Sequence, residues 1–310
     1  MILLFPGQGS QKPGMAKDLA DAFPAAREVF ARVDEALGEK LSTLCFEGPA
    51  DELTKTHNAQ PALLAHGAAV WAVVRESLAK RAQLQGGAGH SLGEFSAYHA
   101  AGALSLEDAV RLVRRRGELM YETGVATPGA MAAILGTLQR SIEEICAEAS
   151  SNGIVVPANY NNTEQVVISG EVAAVEAAME LAKAAGAKRA LRLQVSGAFH
   201  SPLMAPAADG LGVALDAALW SEPSMPVWSN VTAQAVNDAV TARALLLRQL
   251  TSPVRWVDLV RDIAARFPGT TFVEMGPGAV LTGLVKRLAP DCQTMTCGTV
   301  PEVESLLASL

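Results

Sequence analysis

The chain has 310 residues, carries a formal net charge of −7, and is 50% hydrophobic but only 5% aromatic. This length allows two domains, or one large domain with an insertion. An acidic chain is poorly suited to binding nucleic acid, and no apolar run is long enough to span a bilayer. We therefore expect a cytoplasmic protein that contacts neither nucleic acid nor membranes. The cysteines lack the paired spacing of a metal site, which predicts structural thiols and no metal.

The N-terminal third begins with a strand and a tight loop. Residues 2–5 are apolar, residues 6–11 follow with two glycines, and a helix is predicted to begin near Gly14. A dinucleotide-binding loop would need a third glycine at Lys12, so this loop is predicted to aim a backbone N–H at a negative group instead. Hydrophobic periodicity then predicts helices over residues 24–37 and 59–79.

Residues 89–93 read Gly-His-Ser-Leu-Gly, an instance of the G-x-S-x-G pattern. That pattern marks a nucleophile elbow, a sharp turn between a strand and a helix that exposes a serine hydroxyl, here that of Ser91. Residues 83–88 supply a possible strand before it, and residues 94–101 a helix after it. A glycine-rich helix entry with an exposed, non-catalytic serine fits the pattern equally well.

An arginine-rich helix follows the elbow. Ser105 and Asp108 form an S-x-x-D capping pattern and predict a helix that runs to about Tyr121. Successive residues of a helix are about 100° apart, so adjacent arginines cannot all face solvent on one side. At least one of four is expected to turn toward the protein: Arg111, Arg114, Arg115 and Arg116.

The pattern changes over residues 130–195. The predicted order is strand 130–136, helix 141–150, strands 154–160 and 165–169, helix 172–185 and strand 188–195. This β-α-β-β-α-β order is that of a ferredoxin-like unit. We expect a small domain inserted into a larger one, with Gly129 and Gly197 as hinges.

The larger domain is predicted to resume after the insertion. Strands are expected at 225–228, 271–275 and 293–297, and helices at 201–219, 242–250, 256–267, 280–288 and the C-terminus. Strands that alternate with helices imply a mainly parallel sheet covered on both faces. The predicted fold class is therefore α/β.

A serine nucleophile needs a general base, because its hydroxyl is protonated at neutral pH. His200 lies in the loop by which the chain re-enters the larger domain, where a cleft is expected. His90 adjoins Ser91, so its side chain should point away from that of the serine. His200 is therefore the candidate base, and the alternative is a residue beside a helix N-terminus with no catalytic role.

Five motifs occur in order along the chain: FPGQGSQ at 5–11, GHSLGE at 89–94, RG at 116–117, GAFHSPLM at 197–204 and GPG at 276–278. Together they resemble the motifs of malonyl-CoA:acyl carrier protein transacylases and of polyketide synthase acyltransferase domains. The resemblance covers essentially the whole chain. It implies an α/β-hydrolase-like catalytic domain over 1–127 and 197–310, with the ferredoxin-like subdomain at 128–196. It also implies Ser91 as nucleophile and His200 as base.

The resemblance implies further roles at the site. The backbone amides of Gln8 and Leu92 would form an oxyanion hole. A backbone carbonyl near Gln249 would orient His200, in place of the carboxylate of a triad. Arg116 would hold the free carboxylate of a malonyl group with its planar guanidinium.

The implied reaction moves a malonyl group from malonyl-CoA to the phosphopantetheine thiol of acyl carrier protein through a malonyl-serine intermediate. Such an enzyme would need no cofactor, release coenzyme A and be a monomer. Phe199 would fill the space beside the malonyl α-carbon, or else pack in the core beneath the loop. An acidic carrier protein would dock on a local basic patch near the cleft, for which the candidates are Arg189, Arg192, Lys286 and Arg287.

Alternatives remain open at this point. The malonyltransferase subunit of malonate decarboxylase and free-standing polyketide acyltransferases share these motifs. A serine hydrolase would share Ser91 and His200, but it would not need a buried arginine. A non-catalytic docking module for carrier protein would have lost Ser91 or His200.

Overall fold

A computed structural model describes residues 1–195 and 197–310. They form two sheets with helices packed on them. The strands are β1 (Ile2–Phe5), β2 (Gly86–Gly89), β3 (Gly129–Leu135), β4 (Val155–Asn162), β5 (Gln165–Glu171), β6 (Arg189–Arg192), β7 (Val227–Trp228), β8 (Ala235–Val236), β9 (Thr271–Met275) and β10 (Gln293–Cys297). The helices are α1 (Lys17–Ala22), α2 (Pro24–Leu37), α3 (Leu41–Glu47), α4 (Ala50–Thr54), α5 (Thr56–Arg81), α6 (Gly93–Ala100), α7 (Leu106–Ala126), α8 (Ile142–Ala149), α9 (Val172–Ala184), α10 (Ala205–Ala217), α11 (Ala239–Gln249), α12 (Trp256–Arg266), α13 (Val280–Leu288) and α14 (Val300–Ser309).

The larger sheet has the strand order β10-β9-β1-β2-β7-β8. Its strands run parallel except β8, which pairs antiparallel with β7. Side chains of β1 alternate between two buried clusters, with Leu3 and Phe5 in one and Ile2 and Leu4 in the other. Both faces of the sheet are therefore covered, as the continuous apolar run in β1 predicts.

The smaller sheet is antiparallel, with the order β4-β5-β3-β6. Helices α8 and α9 share one buried cluster with its strands. The predicted succession of four strands and two helices over this segment is confirmed. The Tyr160 amide donates to the Val254 carbonyl at 2.9 Å, which links β4 to the segment before α12.

Most predicted elements are confirmed to within a few residues, and five details differ. Helix α7 continues to Ala126 rather than ending near Tyr121. Helix α1 begins at Lys17 rather than near Gly14, because Ala16 before it has a φ of 59°. The helix predicted from residue 201 begins with a 3₁₀ turn, Pro202–Met204, and α10 ends at Ala217. The last strand of the smaller sheet ends at Arg192. The sequence did not predict α3, α4 and β8. The domain boundary expected at residue 196 lies outside the described residues.

Among the residues that the structure describes, no helix combines the length and the hydropathy needed to cross a membrane.

Candidate active site

The predicted strand–turn–helix around Ser91 is confirmed. Strand β2 ends at Gly89, α6 begins at Gly93, and Ser91 between them has a φ of 54°. A Cβ on Gly89 would overlap the backbone of Gly93, and one on Gly93 would overlap the Phe5 carbonyl. Both positions therefore require glycine. The left-handed conformation at Ser91 costs about 1 kcal/mol and must be held by its surroundings.

Asn230 supplies part of that support. Its side-chain Oδ1 accepts from the Ser91 amide at 2.7 Å, and its Nδ2 donates to the Gly89 carbonyl at 2.7 Å. Asn230 is fully buried, so these bonds are shielded from water. The sequence analysis missed this residue. It could have been predicted from its position, because it follows β7, and β7 pairs in parallel with β2 just before the elbow.

Ser91 and His200 are within hydrogen-bonding distance. Ser91 Oγ lies 2.8 Å from His200 Nε2, and His200 Nδ1 lies 2.9 Å from the Gln249 backbone oxygen. A carbonyl can only accept, so Nδ1 carries the proton and Nε2 presents a lone pair to the serine hydroxyl. The ring is thus oriented to take a proton from Ser91 with no carboxylate behind it.

The environment of His200 favours its neutral form. Its side chain is buried, and desolvation together with the nearby Arg116 cation lowers its pKa from 6.5 to about 3. The hydrogen bond to the Gln249 carbonyl only partly opposes this shift. The imidazole is therefore unprotonated and able to act as a base over the whole neutral range.

This lowered pKa predicts an unusual pH profile. The value of kcat/KM for acylation of Ser91 by malonyl-CoA, the substrate that the resemblance implies, is measured by rapid quench and should stay flat between about pH 8 and pH 5. An imidazole with an ordinary pKa of about 6.5 would become protonated as the pH falls across that range, and the rate would be about thirtyfold lower at pH 5. A tenfold loss per pH unit below about 6.5 would contradict the lowered pKa.

The helical spacing of α7 predicts that at least one of its four arginines turns inward, and in the structure Arg116 does so. It is 1% exposed. Its Nη1 donates to Gln60 Oε1 at 2.7 Å, and its Nη2 lies 3.0 Å from Ser91 Oγ and 2.9 Å from Gln249 Oε1. Burial lowers the pKa of its guanidinium to about 10, so it remains charged at neutral pH. A buried cation next to the candidate nucleophile is costly unless it serves an anion.

The neighbouring arginines make other contacts, and among them the Arg114 side chain is also largely buried. Arg111 donates to the Ala36 carbonyl, Arg114 to Asn58, and Arg115 to Glu118. Of these four arginines, Arg116 is therefore the one whose guanidinium contacts the Ser91 hydroxyl.

The two predicted oxyanion donors come from different segments, Gln8 from the loop after β1 and Leu92 from the elbow. Gln8 and Leu92 both line the cavity above the serine. Within residues 1–195 and 197–310, neither of their amides donates to a protein acceptor. Gln8 Oε1 accepts from Thr56 Oγ1 at 2.8 Å, which anchors the loop. A Cβ on Gly7 would lie 2.7 Å from the His90 carbonyl, so glycine lets this loop approach the elbow.

The cavity has a volume of about 280 Å³. Ser91, Arg116 and His200 lie in its wall together with apolar side chains such as Met120 and Phe199. Phe199 is also 6% exposed and belongs to the core cluster. It therefore both packs in the core and faces the cavity, so the two interpretations from sequence are not exclusive.

His90 points away from Ser91, as predicted. Its Nε2 lies 2.9 Å from Asn161 Oδ1, and its ring packs against Trp256. Burial lowers its pKa.

A buried polar network that the sequence analysis missed lies behind the site. Glu94 is fully buried, and its Oε2 accepts from Gln249 Nε2 at 2.6 Å and from the Asn230 amide at 3.1 Å. Burial raises the pKa of Glu94 to about 7, while its hydrogen bonds and Arg116 oppose that shift. Gln249, expected to contribute only a carbonyl, thus also joins Glu94 to Arg116 through its side chain.

The predicted basic cluster is not a single patch. Arg189 and Arg192 lie on β6, whereas Lys286 and Arg287 lie on α13, which packs against β4. Strands β6 and β4 are the opposite edges of the smaller sheet. Arg192 also pairs with Glu176. The expectation of one cluster was therefore wrong.

In the described ranges, no three His, Cys, Asp or Glu side chains gather as a metal site would require.

A mainly parallel α/β sheet with an elbow serine, a facing histidine and a buried arginine is typical of serine-dependent acyl-transfer enzymes. The family model described as "Acyl transferase domain" matches residues 2–303. The malonyl CoA-acyl carrier protein transacylase of Bacillus subtilis is 47% identical, over 100% of this chain and 97% of the relative. The acyl-carrier-protein-S-malonyltransferase of Bartonella henselae superposes with a TM-score of 0.94 at 46% identity, covering 99% of this chain and 98% of that one. A malonyl-transacylase in complex with its type II PKS acyl-carrier protein superposes with a TM-score of 0.94 at 43% identity, covering 100% of this chain and 99% of that one. The chain belongs to the malonyl CoA-acyl carrier protein transacylases of the acyl transferase family.

Proposed function

We propose that the protein transfers a malonyl group from malonyl-CoA to the phosphopantetheine thiol of an acyl carrier protein, for fatty acid synthesis. The observation that carries the proposal is the buried Arg116 guanidinium 3.0 Å from Ser91 Oγ. An acyl group with a second carboxylate would satisfy this cation at the point where the thioester meets the nucleophile. Full-length relatives with this activity support the assignment.

The reaction has two matching halves. Ser91 Oγ attacks the thioester carbonyl while His200 Nε2 takes the hydroxyl proton. The Gln8 and Leu92 amides stabilise the oxyanion. The C–S bond then breaks, coenzyme A leaves with the proton held by His200, and malonyl-Ser91 remains. In the second half, His200 accepts the proton of the carrier-protein thiol, the thiol attacks malonyl-Ser91, and the proton returns to Ser91 Oγ.

The two separate sheets support an assignment of two structural units. We infer that the six-stranded part, residues 1–127 and 197–310, is an α/β-hydrolase-like catalytic domain. We infer that residues 128–196 form a ferredoxin-like subdomain. The sheet order β4-β5-β3-β6 and the two helices α8 and α9 support that assignment.

Acyl-group selection is assigned to two residues. Arg116 binds the malonyl carboxylate, and an acyl group without one would leave the buried guanidinium without an anionic partner, at a cost of a few kcal/mol. Phe199 limits the space beside the α-carbon and so disfavours a methyl branch, an effect of about 1–3 kcal/mol.

The proposed partners are malonyl-CoA and a carrier protein, with the enzyme acting as a cytoplasmic monomer that needs no cofactor. Polyketide synthesis stays a second candidate pathway, because one similar structure is the complex with a type II PKS acyl-carrier protein. The chemistry at Ser91 is the same in both pathways.

Intact-mass spectrometry tests the proposal. Incubation with malonyl-CoA should add one malonyl group to the protein, and addition of carrier protein bearing phosphopantetheine should remove it and malonylate the carrier. Fatty acid and polyketide carrier proteins, compared side by side, distinguish the two pathways. Release of free malonate as the main product would instead indicate a serine hydrolase.

Arg116→Ala is expected to reduce the preference for malonyl over acetyl groups by at least tenfold, because it removes the cation that pairs with the carboxylate. Paired competition between malonyl-CoA and acetyl-CoA measures this ratio. Arg115→Ala on the exposed face of α7 is the matched control and should leave the ratio unchanged. An Arg116→Ala enzyme with the wild-type preference would exclude the proposed carboxylate contact.

A further inference from the structure

The Gln249 side chain connects two buried ionisable groups, one of which donates a hydrogen bond to it while the other accepts one from it. Its Nε2 donates to Glu94 Oε2 at 2.6 Å, and its Oε1 accepts from Arg116 Nη2 at 2.9 Å. A guanidinium can only donate, and the Glu94 oxygen is used as an acceptor. Rotating the amide by half a turn would break both bonds. The side chain therefore has one stable orientation as long as both groups are present.

We propose that Glu94 is a positioning residue, which holds the Gln249 amide so that its oxygen fixes the Arg116 guanidinium beside Ser91. Glu94 lies at the start of α6, directly behind the elbow, and does not line the substrate cavity. It acts on Arg116 only through Gln249. The inference rests on the proposed function, because it concerns how the cation that receives the malonyl carboxylate is placed.

The same carboxylate oxygen also supports the elbow from a second side. Glu94 Oε2 accepts from the Asn230 backbone amide, and the Asn230 side chain holds the Ser91 amide. Gln249 Nε2 further donates to the Ser91 carbonyl at 3.1 Å. Glu94 Oε2 thus helps to hold the turn at Ser91 through Asn230 and the Arg116 guanidinium through Gln249.

The Glu94 carboxyl group is needed here as a hydrogen-bond acceptor, although its burial is costly. Glu94 is fully buried, and its Oε1 has no hydrogen-bond partner in the described part of the chain. An apolar side chain of similar size would avoid that cost, but it would leave the Gln249 Nε2 and Asn230 amide donors without this acceptor. A protonated Glu94 still offers its carbonyl oxygen to Gln249. The role therefore requires an acceptor rather than a charge.

The experiment compares Glu94→Leu with Glu94→Gln. The readout is the ratio of acylation rates with malonyl-CoA and acetyl-CoA, measured by rapid-quench intact mass. Glu94→Leu removes the acceptor and should lower this ratio by about tenfold, as expected for the loss of a well-placed hydrogen bond to a charged group. Glu94→Gln keeps an acceptor oxygen and should restore the ratio to near the wild-type value. General loosening of the elbow would slow both substrates equally and leave the ratio unchanged.

A double-mutant cycle tests the route of the effect. Gln249→Leu keeps the carbonyl that orients His200 but removes the amide link, so it should lower the ratio as Glu94→Leu does. The double variant should lower it no further, because both changes break one connection. Glu274→Leu is the matched control. Glu274 is an equally buried glutamate that caps α13 through the Leu281 and Thr282 amides, and its loss should leave the ratio intact.

The outcomes separate this inference from the proposed function. Wild-type protein that forms no malonyl adduct would overturn the function. Wild-type protein that acylates normally, with a Glu94→Leu ratio unchanged or with additive effects in the cycle, would overturn only the role of Glu94. If Glu94→Leu does not fold, Gln249→Leu decides alone, and an unchanged ratio in that variant rejects the proposal.

Discussion

Replacing Ser91 with alanine is expected to abolish the malonyl-enzyme adduct and to leave the fold intact. The turn is held by Gly89, Gly93 and the bond from the Ser91 amide to Asn230, and all three remain in the variant. The lost hydroxyl is one of several partners of Arg116, which keeps its bonds to Gln60 and Gln249. Circular dichroism should therefore be unchanged. Intact mass after mixing with malonyl-CoA should show no added group.

Ser10→Ala provides the matched control for this experiment. Ser10 lies in the loop after β1, close to Gln8 of the cavity wall, but the mechanism assigns it no chemistry. That variant should acquire the malonyl group as wild type does. A malonyl adduct on Ser91→Ala would instead place the nucleophile at another residue.

The order of elements was predictable because its signals are local. Strand β9 and helices α2 and α13 begin and end where hydrophobic periodicity places them. Strand β2 reads Gly-Gly-Ala-Gly and carries almost no side-chain signal of its own. It was recognised only because the elbow pattern follows it. The two-residue strand β8 depends on pairing with β7, a contact that its own sequence cannot encode.

The site was predictable to the extent that its residues belong to motifs. The structure brings together Ser91, Arg116 and His200, although His200 is 109 residues from Ser91 in the chain. The residues behind them were not predicted. Glu94 and Asn230 have no chemistry readable from their own positions, since each acquires its role from a partner more than 130 residues away. Such pairing exists only in the folded chain.

His200→Ala is expected to slow both half-reactions by about 10²–10⁴-fold, the usual contribution of a general base. The variant keeps the oxyanion donors and Arg116, so malonyl-CoA binding should change little and the loss should fall on kcat. Rapid-quench measurement of malonyl-enzyme formation at several malonyl-CoA concentrations separates an effect on binding from an effect on kcat. Added imidazole, which fits the space left by the ring, should restore part of the rate.

His90→Ala is the comparison that makes this prediction specific. His90 is a second buried histidine next to the nucleophile, but its Nε2 lies 2.9 Å from Asn161 Oδ1, and its ring packs on Trp256. Its removal should have a much smaller effect on acylation, and imidazole should not rescue it. Near-normal acylation by His200→Ala, together with a large loss in His90→Ala, would move the base to His90.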